Sequence, residues 1–280
     1  MTHPSDVRSY GVLEQEGGED ALGPHIESIR LAGYTVLPGG FSSDQIVAFG
    51  SGLDAVLARQ AAEFGGPERL ALIGEALTAR CPLAYDEMFL RLAAHETVLA
   101  LCRRLLGDYV VLLQQNGIVN PSRAEHTQTA YHRDLPYQHF VSSRPLAISA
   151  LLCIDAFHPS TGATTVLPGS HRVERFPSEE VTRKLEVAVE APGGSFIVFD
   201  AMLFHRAGHN VSGAPRRAVN HVYGLPILAQ QVSMAALVPE ACAMDPAMAR
   251  LLGLDAAPAT SVIAWRERRL ARTVSRTGAE

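Results

Sequence analysis

Tyr131 to Phe140 reads YHRDLPYQHF and sets His132 and Asp134 two residues apart, with Arg133 between them. In an extended chain residues i and i+2 point to the same face, so an imidazole and a carboxylate can meet at one point there. A second histidine would complete the two-histidine, one-carboxylate set that holds non-haem iron while leaving coordination positions open. The spacing alone is weak evidence, because eleven histidines offer many accidental neighbours. An ordinary polar patch beside a turn would read the same way.

A third ligand has to come from elsewhere, and GGSFIVFDAMLFHRAGHNVSGAPRRAVNHVYG offers one. Ser195 to Asp200 reads as a buried strand, Asp200-Ala201-Met202 as a tight turn, and Leu203 to His205 as the start of a return strand. After the loop GHNVSGAP, RRAVNHVYG reads as the next strand. A histidine closing one strand and an arginine opening its hairpin partner would be neighbours across the ladder. The planar fork of arginine holds a carboxylate through two parallel hydrogen bonds, which suits a dicarboxylate co-substrate beside a metal. His209 competes with His205 and Arg217 with Arg216, and strand parity does not separate the two arginines, since both alternating sets mix polar and apolar residues.

The elements that must position these groups follow from the hydrophobic pattern. The stretch from about 20 to 107 reads helical: SSDQIVAFGSGLDAVLARQAAEF with Ser43 as its cap, then PERLALIGEALTAR, then HETVLALCRRLLG ending at Gly107. From about 108 to 235 short β-rich runs follow one another, among them YVVLLQQNGIVN, PLAISALLCIDAF, ATTVLPGS and LEVAVEA, separated by Pro, Gly, Ser and Asn clusters. Strands in succession without intervening helices point to a sandwich or barrel rather than a parallel α/β sheet. A helical tail, about 236 to 275, runs from PEACAMDPAMARLLGL to SVIAWRERRLARTV. The expectation is one mainly β domain over residues 1–280, with flanking helices.

Composition bounds what such a domain does. The chain of 280 residues is 47% hydrophobic and 19% charged, the balance of a globular protein with a substantial core. A net charge of −5 argues against a general nucleic-acid binder. No apolar run reaches the roughly 20 residues needed to span a bilayer, and the N-terminus lacks a basic and apolar leader, so a cytoplasmic location without membrane partners is expected. Cys81, Cys102, Cys153 and Cys242 are widely spaced, as free thiols in a reducing compartment would be. Lys184 is the single lysine among 24 basic residues, which reads as a bacterial coding bias and lowers the weight of any one arginine.

From about Gly33 to Tyr223 the chain resembles the phytanoyl-CoA dioxygenase family of Fe(II)/2-oxoglutarate oxygenases. LAGYTVLPGGFSSDQI resembles the family's opening strand and helix, and YHRDLPY its H-x-D motif. CIDAFHPSTGATTVLPGSHR resembles its strand-turn-strand ending in P-G-S-H, and GSFIVFDAMLFHRAGHNVSGAPRRAVNH its distal H…N-x-S…R segment. The resemblance implies a double-stranded β-helix, or jelly-roll, core. It implies iron ligands His132, Asp134 and His205, with Arg216 binding the distal carboxylate of 2-oxoglutarate and Ser212 and Gln114 as further co-substrate contacts. It also implies a small organic substrate and dioxygen as partners, with hydroxylation or a related desaturation or ring closure favoured over halogenation because a carboxylate stands where the family's halogenases have a small residue. Arg133 departs from the glutamine common at that position and is either solvated or a contact to an anionic group.

Other polar residues carry competing readings. Gln114, Asn116 and Asn120 share one strand face and either line the barrel or satisfy backbone groups. Tyr137 and Gln138 follow the H-x-D turn and, with Arg133 and Asn116, are candidate substrate contacts. His171 is expected to stabilise its loop, His221 to be a satisfied core histidine, and WRERRLAR a solvated helix face. A cupin-like hydrolase or isomerase would use the same ligands without 2-oxoglutarate, and a silent ligand-binding relative would use neither.

Overall fold

The structure, a computed structural model, describes residues 20–124, 127–135 and 140–277. Nine strands follow in chain order: β1 (Tyr34–Pro38), β2 (Thr78–Arg80), β3 (Val111–Asn120), β4 (Ala147–Cys153), β5 (Thr165–Val166), β6 (Val187–Ala188), β7 (Ser195–Asp200), β8 (His205–Arg206) and β9 (Arg216–Gly224). They form a six-stranded sheet in the order β1-β7-β4-β9-β3-β2 and a three-stranded sheet in the order β6-β5-β8. Every described pairing is antiparallel. The architecture is the expected jelly-roll with flanking helices.

Side-chain alternation shows how the large sheet is buried on both faces. Phe196, Val198, Ala150, Leu152, Val219 and Tyr223 pack outward against helical residues such as Leu53, Phe89 and Leu101. Their neighbours Ile197, Phe199, Leu151, Cys153 and Ala218 pack inward against Val166 and Val189 of the small sheet's side. A strand covered on both faces needs apolar residues at every position, and β4 and β7 are buried throughout.

Several sequence expectations change at this level. The cap of helix Ser43–Glu63 is Ser42, not Ser43: Ser42 Oγ accepts from Gln45 N while Gln45 Oε1 accepts from Ser42 N. PERLALIGEALTAR is helical only over Pro67–Ala71, because Gly74 turns the chain at φ +72° and Thr78–Arg80 pairs with Ile118–Asn116 of β3. The β core therefore recruits β1 and β2 from the segment read as helical. LEVAVEA contributes only Val187–Ala188, since Leu185 closes helix Glu179–Leu185. The tail breaks at Asp245, which caps helix Pro246–Leu251 after Pro239–Met244. Among the described residues no helix is long and apolar enough to cross a membrane.

Candidate metal centre

The H-x-D segment belongs to the small sheet in all but name. His132 N donates to His205 O at 2.9 Å and His205 N to His132 O at 3.1 Å, so the two histidines form an antiparallel bridge beside β8. Asp134 N donates to Ala201 O, which fixes the next residues of the segment over the end of β7. The ligand-capable atoms of His132, Asp134 and His205 lie within 4.8 Å of one another, and His205 Nε2 stands 3.5 Å from Asp134 Oδ1.

The hydrogen bonds around this cluster decide which atoms remain free. His132 Nδ1 lies 2.9 Å from Ala130 O and His205 Nδ1 3.0 Å from Leu203 O. A carbonyl only accepts, so each Nδ1 carries the proton and each Nε2 presents its lone pair. Asp134 Oδ2 accepts from Ser149 Oγ at 2.5 Å and Asn220 Nδ2 at 3.0 Å, leaving Oδ1 toward the histidines. Two bare imidazole nitrogens and one carboxylate oxygen, each held from behind, fit a divalent metal. Burial alone would raise the Asp134 pKa, but a proton taken up on His205 Nε2, in the position a metal would otherwise fill, overcomes it and holds the carboxyl well below its usual range. Burial lowers and Asp134 raises His205, with a net rise, while burial and His205 together lower His132.

The cluster opens into a chamber of about 300 Å³ between the sheets, whose far wall carries Arg216. Arg216 is 4% exposed, lies over the Phe157 ring at 3.9 Å, and leaves Nε without a hydrogen-bond partner. Burial lowers it to about 10. A buried guanidinium that makes no salt bridge among the described residues is the electrostatic imprint of an anionic ligand. The hairpin expected to join His205 and Arg216 does not form: β8 pairs with β5, β9 with β3 and β4, and the two residues face one another from opposite sheets. Parity separates the arginines after all. Arg217 points out of the sheet and binds Asp155 and Asp54 at 3.0 and 2.9 Å.

Other candidates are placed differently from expectation. Gln114 and Asn116 line the chamber. Asn120 shares their strand face but is buried beyond it, donating to Gly162 O and Gly208 O. Ser212 is not brought to the chamber; its hydroxyl bonds Asn210 Oδ1 and Ala214 O within an exposed turn. Arg133 also lines the chamber, but it is 4% exposed rather than solvated. Its guanidinium lies over Phe204 and bonds the carbonyls of Ser170 and Val173. The cation thus ties the H-x-D segment to the P-G-S-H loop. Tyr137 and Gln138 lie outside the described residues. His209 is exposed. His171 is buried, with Nε2 accepting from Arg172 and Nδ1 without a hydrogen-bond partner among the described residues, while His221 is buried and hydrogen-bonded on both ring nitrogens.

Sequence reasoning missed Ser149, Asn220 and Arg80. The signal for Asn220 was present, since Arg216, Ala218 and Asn220 alternate on one face of β9. Ser149 gave none beyond being the one polar residue in an apolar strand.

An antiparallel two-sheet barrel around a His-Asp-His cluster defines the class, a non-haem iron dioxygenase. The family model described as phytanoyl-CoA dioxygenase matches residues 29–218, and the chain belongs to that family. Over 224 residues it is 31% identical to the uncharacterized protein Rv1501 of Mycobacterium tuberculosis, covering 78% of this chain and 81% of that protein. The ectoine dioxygenase of Halomonas elongata is 25% identical, with 74% and 72% covered. Among solved structures, EctD from S. alaskensis with 2-oxoglutarate and 5-hydroxyectoine superposes with a TM-score of 0.60 at 25% identity, covering 78% of this chain and 81% of that one.

Proposed function

We propose that the protein is an Fe(II)- and 2-oxoglutarate-dependent dioxygenase that hydroxylates an unactivated C–H bond of a small organic molecule. The observation that carries this reading is the pairing, in one chamber, of three converging donor atoms with a buried arginine that makes no salt bridge among the described residues. His132, Asp134 and His205 would hold the iron, and Arg216 the distal carboxylate of 2-oxoglutarate. Bound there, iron, 2-oxoglutarate and dioxygen supply the oxidation: the co-substrate leaves as succinate and carbon dioxide, and one oxygen atom enters the substrate.

The chain's own part is orientation and exclusion. Ala130 O and Leu203 O hold both imidazoles in one tautomer, and Ser149 with Asn220 prevents Asp134 from rotating. Leu151, Phe199 and Ala218 line the chamber with apolar surface and keep water from the oxidising position. A hydrolase or isomerase without 2-oxoglutarate would leave Arg216 buried and unused, which the desolvation of a guanidinium disfavours.

Anaerobic titration of the Fe(II)-loaded protein with 2-oxoglutarate tests the reading. A saturable visible iron-to-keto-acid absorption band supports it. Iron binding without the band rejects the co-substrate and puts the hydrolase or isomerase reading first.

A further inference from the structure

A line of hydrogen bonds runs from the surface into the chamber. Arg80 on β2 holds Glu75 Oε1 through Nε at 2.9 Å and through Nη2 at 2.5 Å. Its Nη1 donates to Asn116 Oδ1 at 3.1 Å, and Asn116 Nδ2 donates to Gln114 Oε1 at 3.1 Å. The polarity of this line is fixed from one end. A guanidinium has no acceptor, so Asn116 must turn its oxygen toward Arg80 and its amide N–H groups toward Gln114. Gln114 must then accept with Oε1, which leaves Nε2 as the terminus, without a partner among the described residues. Gln114 lines the chamber, and with Oε1 already accepting from Asn116 the group it has left to offer a ligand is chiefly its Nε2 donor.

The register says which molecule meets them. Ser149, Val222 and Gln114 form one row across β4, β9 and β3, and Leu151, Asn220 and Asn116 the next. Asp134 touches Ser149 and Asn220, so the metal cluster stands over these two rows at the β4–β9 side. Arg216 stands four residues from Asn220 along β9, about 13 Å of strand. A dicarboxylate running from the cluster to Arg216 therefore leaves Gln114 on the side toward β2, in a part of the chamber it shares with Arg80 and Asn116 and that the co-substrate does not fill. This assigns Gln114 to the substrate rather than to the co-substrate role expected for it from the sequence.

We propose that Glu75, Arg80 and Asn116 are positioning residues that set Gln114 as a hydrogen-bond donor, and that the substrate is a small polar molecule presenting a carboxylate or carbonyl oxygen to it. The inference rests on the dioxygenase reading above. Acetate serves as the probe, titrated anaerobically into the Fe(II)- and 2-oxoglutarate-loaded protein while the visible band is followed at two saturating 2-oxoglutarate concentrations.

In the wild type acetate shifts the band saturably, equally at both concentrations, and methylammonium does not. Gln114→Glu abolishes the acetate shift. Arg80→Met weakens it at least about tenfold, the scale of one well-oriented hydrogen bond, and Arg80→Lys restores part of it. The 2-oxoglutarate midpoint of Arg80→Met stays within about twofold, as expected for a separate subsite. No band in the wild type overturns the dioxygenase reading and this inference with it. A normal band with no acetate shift, or a Gln114→Glu protein that binds acetate like the wild type, overturns this inference alone.

Discussion

Asn220 Nδ2 stands 3.0 Å from Asp134 Oδ2, joining the middle of β9 to the segment bridged to the small sheet. Together with Ser149 Oγ it occupies one carboxylate oxygen and leaves the other to face His205. The contact is a support behind a ligand, and its loss lets the carboxylate rotate. Asn220→Ala is expected to weaken Fe(II) binding roughly 10- to 100-fold with the fold intact. Anaerobic Fe(II) titration and thermal unfolding of the same preparation check both halves. Unchanged affinity would show that Asp134 is held without Asn220.

Arg216 and Arg217 are adjacent in sequence and opposite in role. Arg216→Gln removes the buried cation that sits over Phe157 in the chamber wall. The midpoint for 2-oxoglutarate is expected to rise by a factor on the order of 30 or more, as when one partner of a buried charge pair is truncated. Arg217→Gln breaks bridges to Asp155 and to Asp54 of helix Ser43–Glu63. Its expected effect is a modest fall in thermal stability with the 2-oxoglutarate midpoint unchanged. Interchanged results would assign the co-substrate to Arg217.

Arg133 is the second buried arginine of the chamber wall, and its described hydrogen bonds go to carbonyls. Replacing it with leucine leaves the carbonyls of Ser170 and Val173 without this donor and uncovers Phe204. The expected loss is about 2–4 kcal/mol of unfolding free energy, in the range for breaking a buried hydrogen-bond network. Denaturant unfolding measures it. A stable variant with altered substrate affinity would instead return Arg133 to the substrate.

The reach of the sequence can be traced along the same residues. His132, Asp134 and His205 were legible because a period of two and a family-wide motif order point to them. The sheet that brings them together was not. His205 and Arg216 looked like hairpin partners because they flank one loop, yet strands of a jelly-roll pair with distant segments, and sequence separation says little about which sheet a strand joins. Thr78–Arg80 read as helix because three residues carry no period, and only pairing with β3 makes them a strand. Arg133 read either as solvated or as a contact to an anionic group, because an arginine between two ligands points away from them and the sequence does not say into what. What it points into is the P-G-S-H loop, some forty residues on, and local sequence carries no signal of that contact.

His221 sets a pH limit on the fold. Its Nδ1 lies 3.2 Å from Ala150 O and its Nε2 2.9 Å from Gln115 Nε2, while Gln115 Nε2 also donates to Phe89 O and Gln115 Oε1 accepts from Leu83 N. The carbonyl requires a proton on Nδ1 and the amide requires a lone pair on Nε2, so the network fits only the neutral ring. Burial pushes its pKa down to about 4. The unfolded chain, with a histidine pKa near 6.5, binds more protons than the folded one between those values. The stability His221 contributes is therefore complete above about pH 6.5 and is lost as the pH falls toward 4. Asp200, raised by burial to about 6, acts in the opposite sense over an overlapping window, and His132, His171 and His205 are shifted too, so the wild-type curve alone mixes several groups. The difference between wild type and His221→Asn isolates the histidine. Denaturant unfolding from pH 7 to 4 should show the wild type losing on the order of 3 kcal/mol more than the variant across that window. Parallel curves would mean that the ring is not held neutral in the folded core.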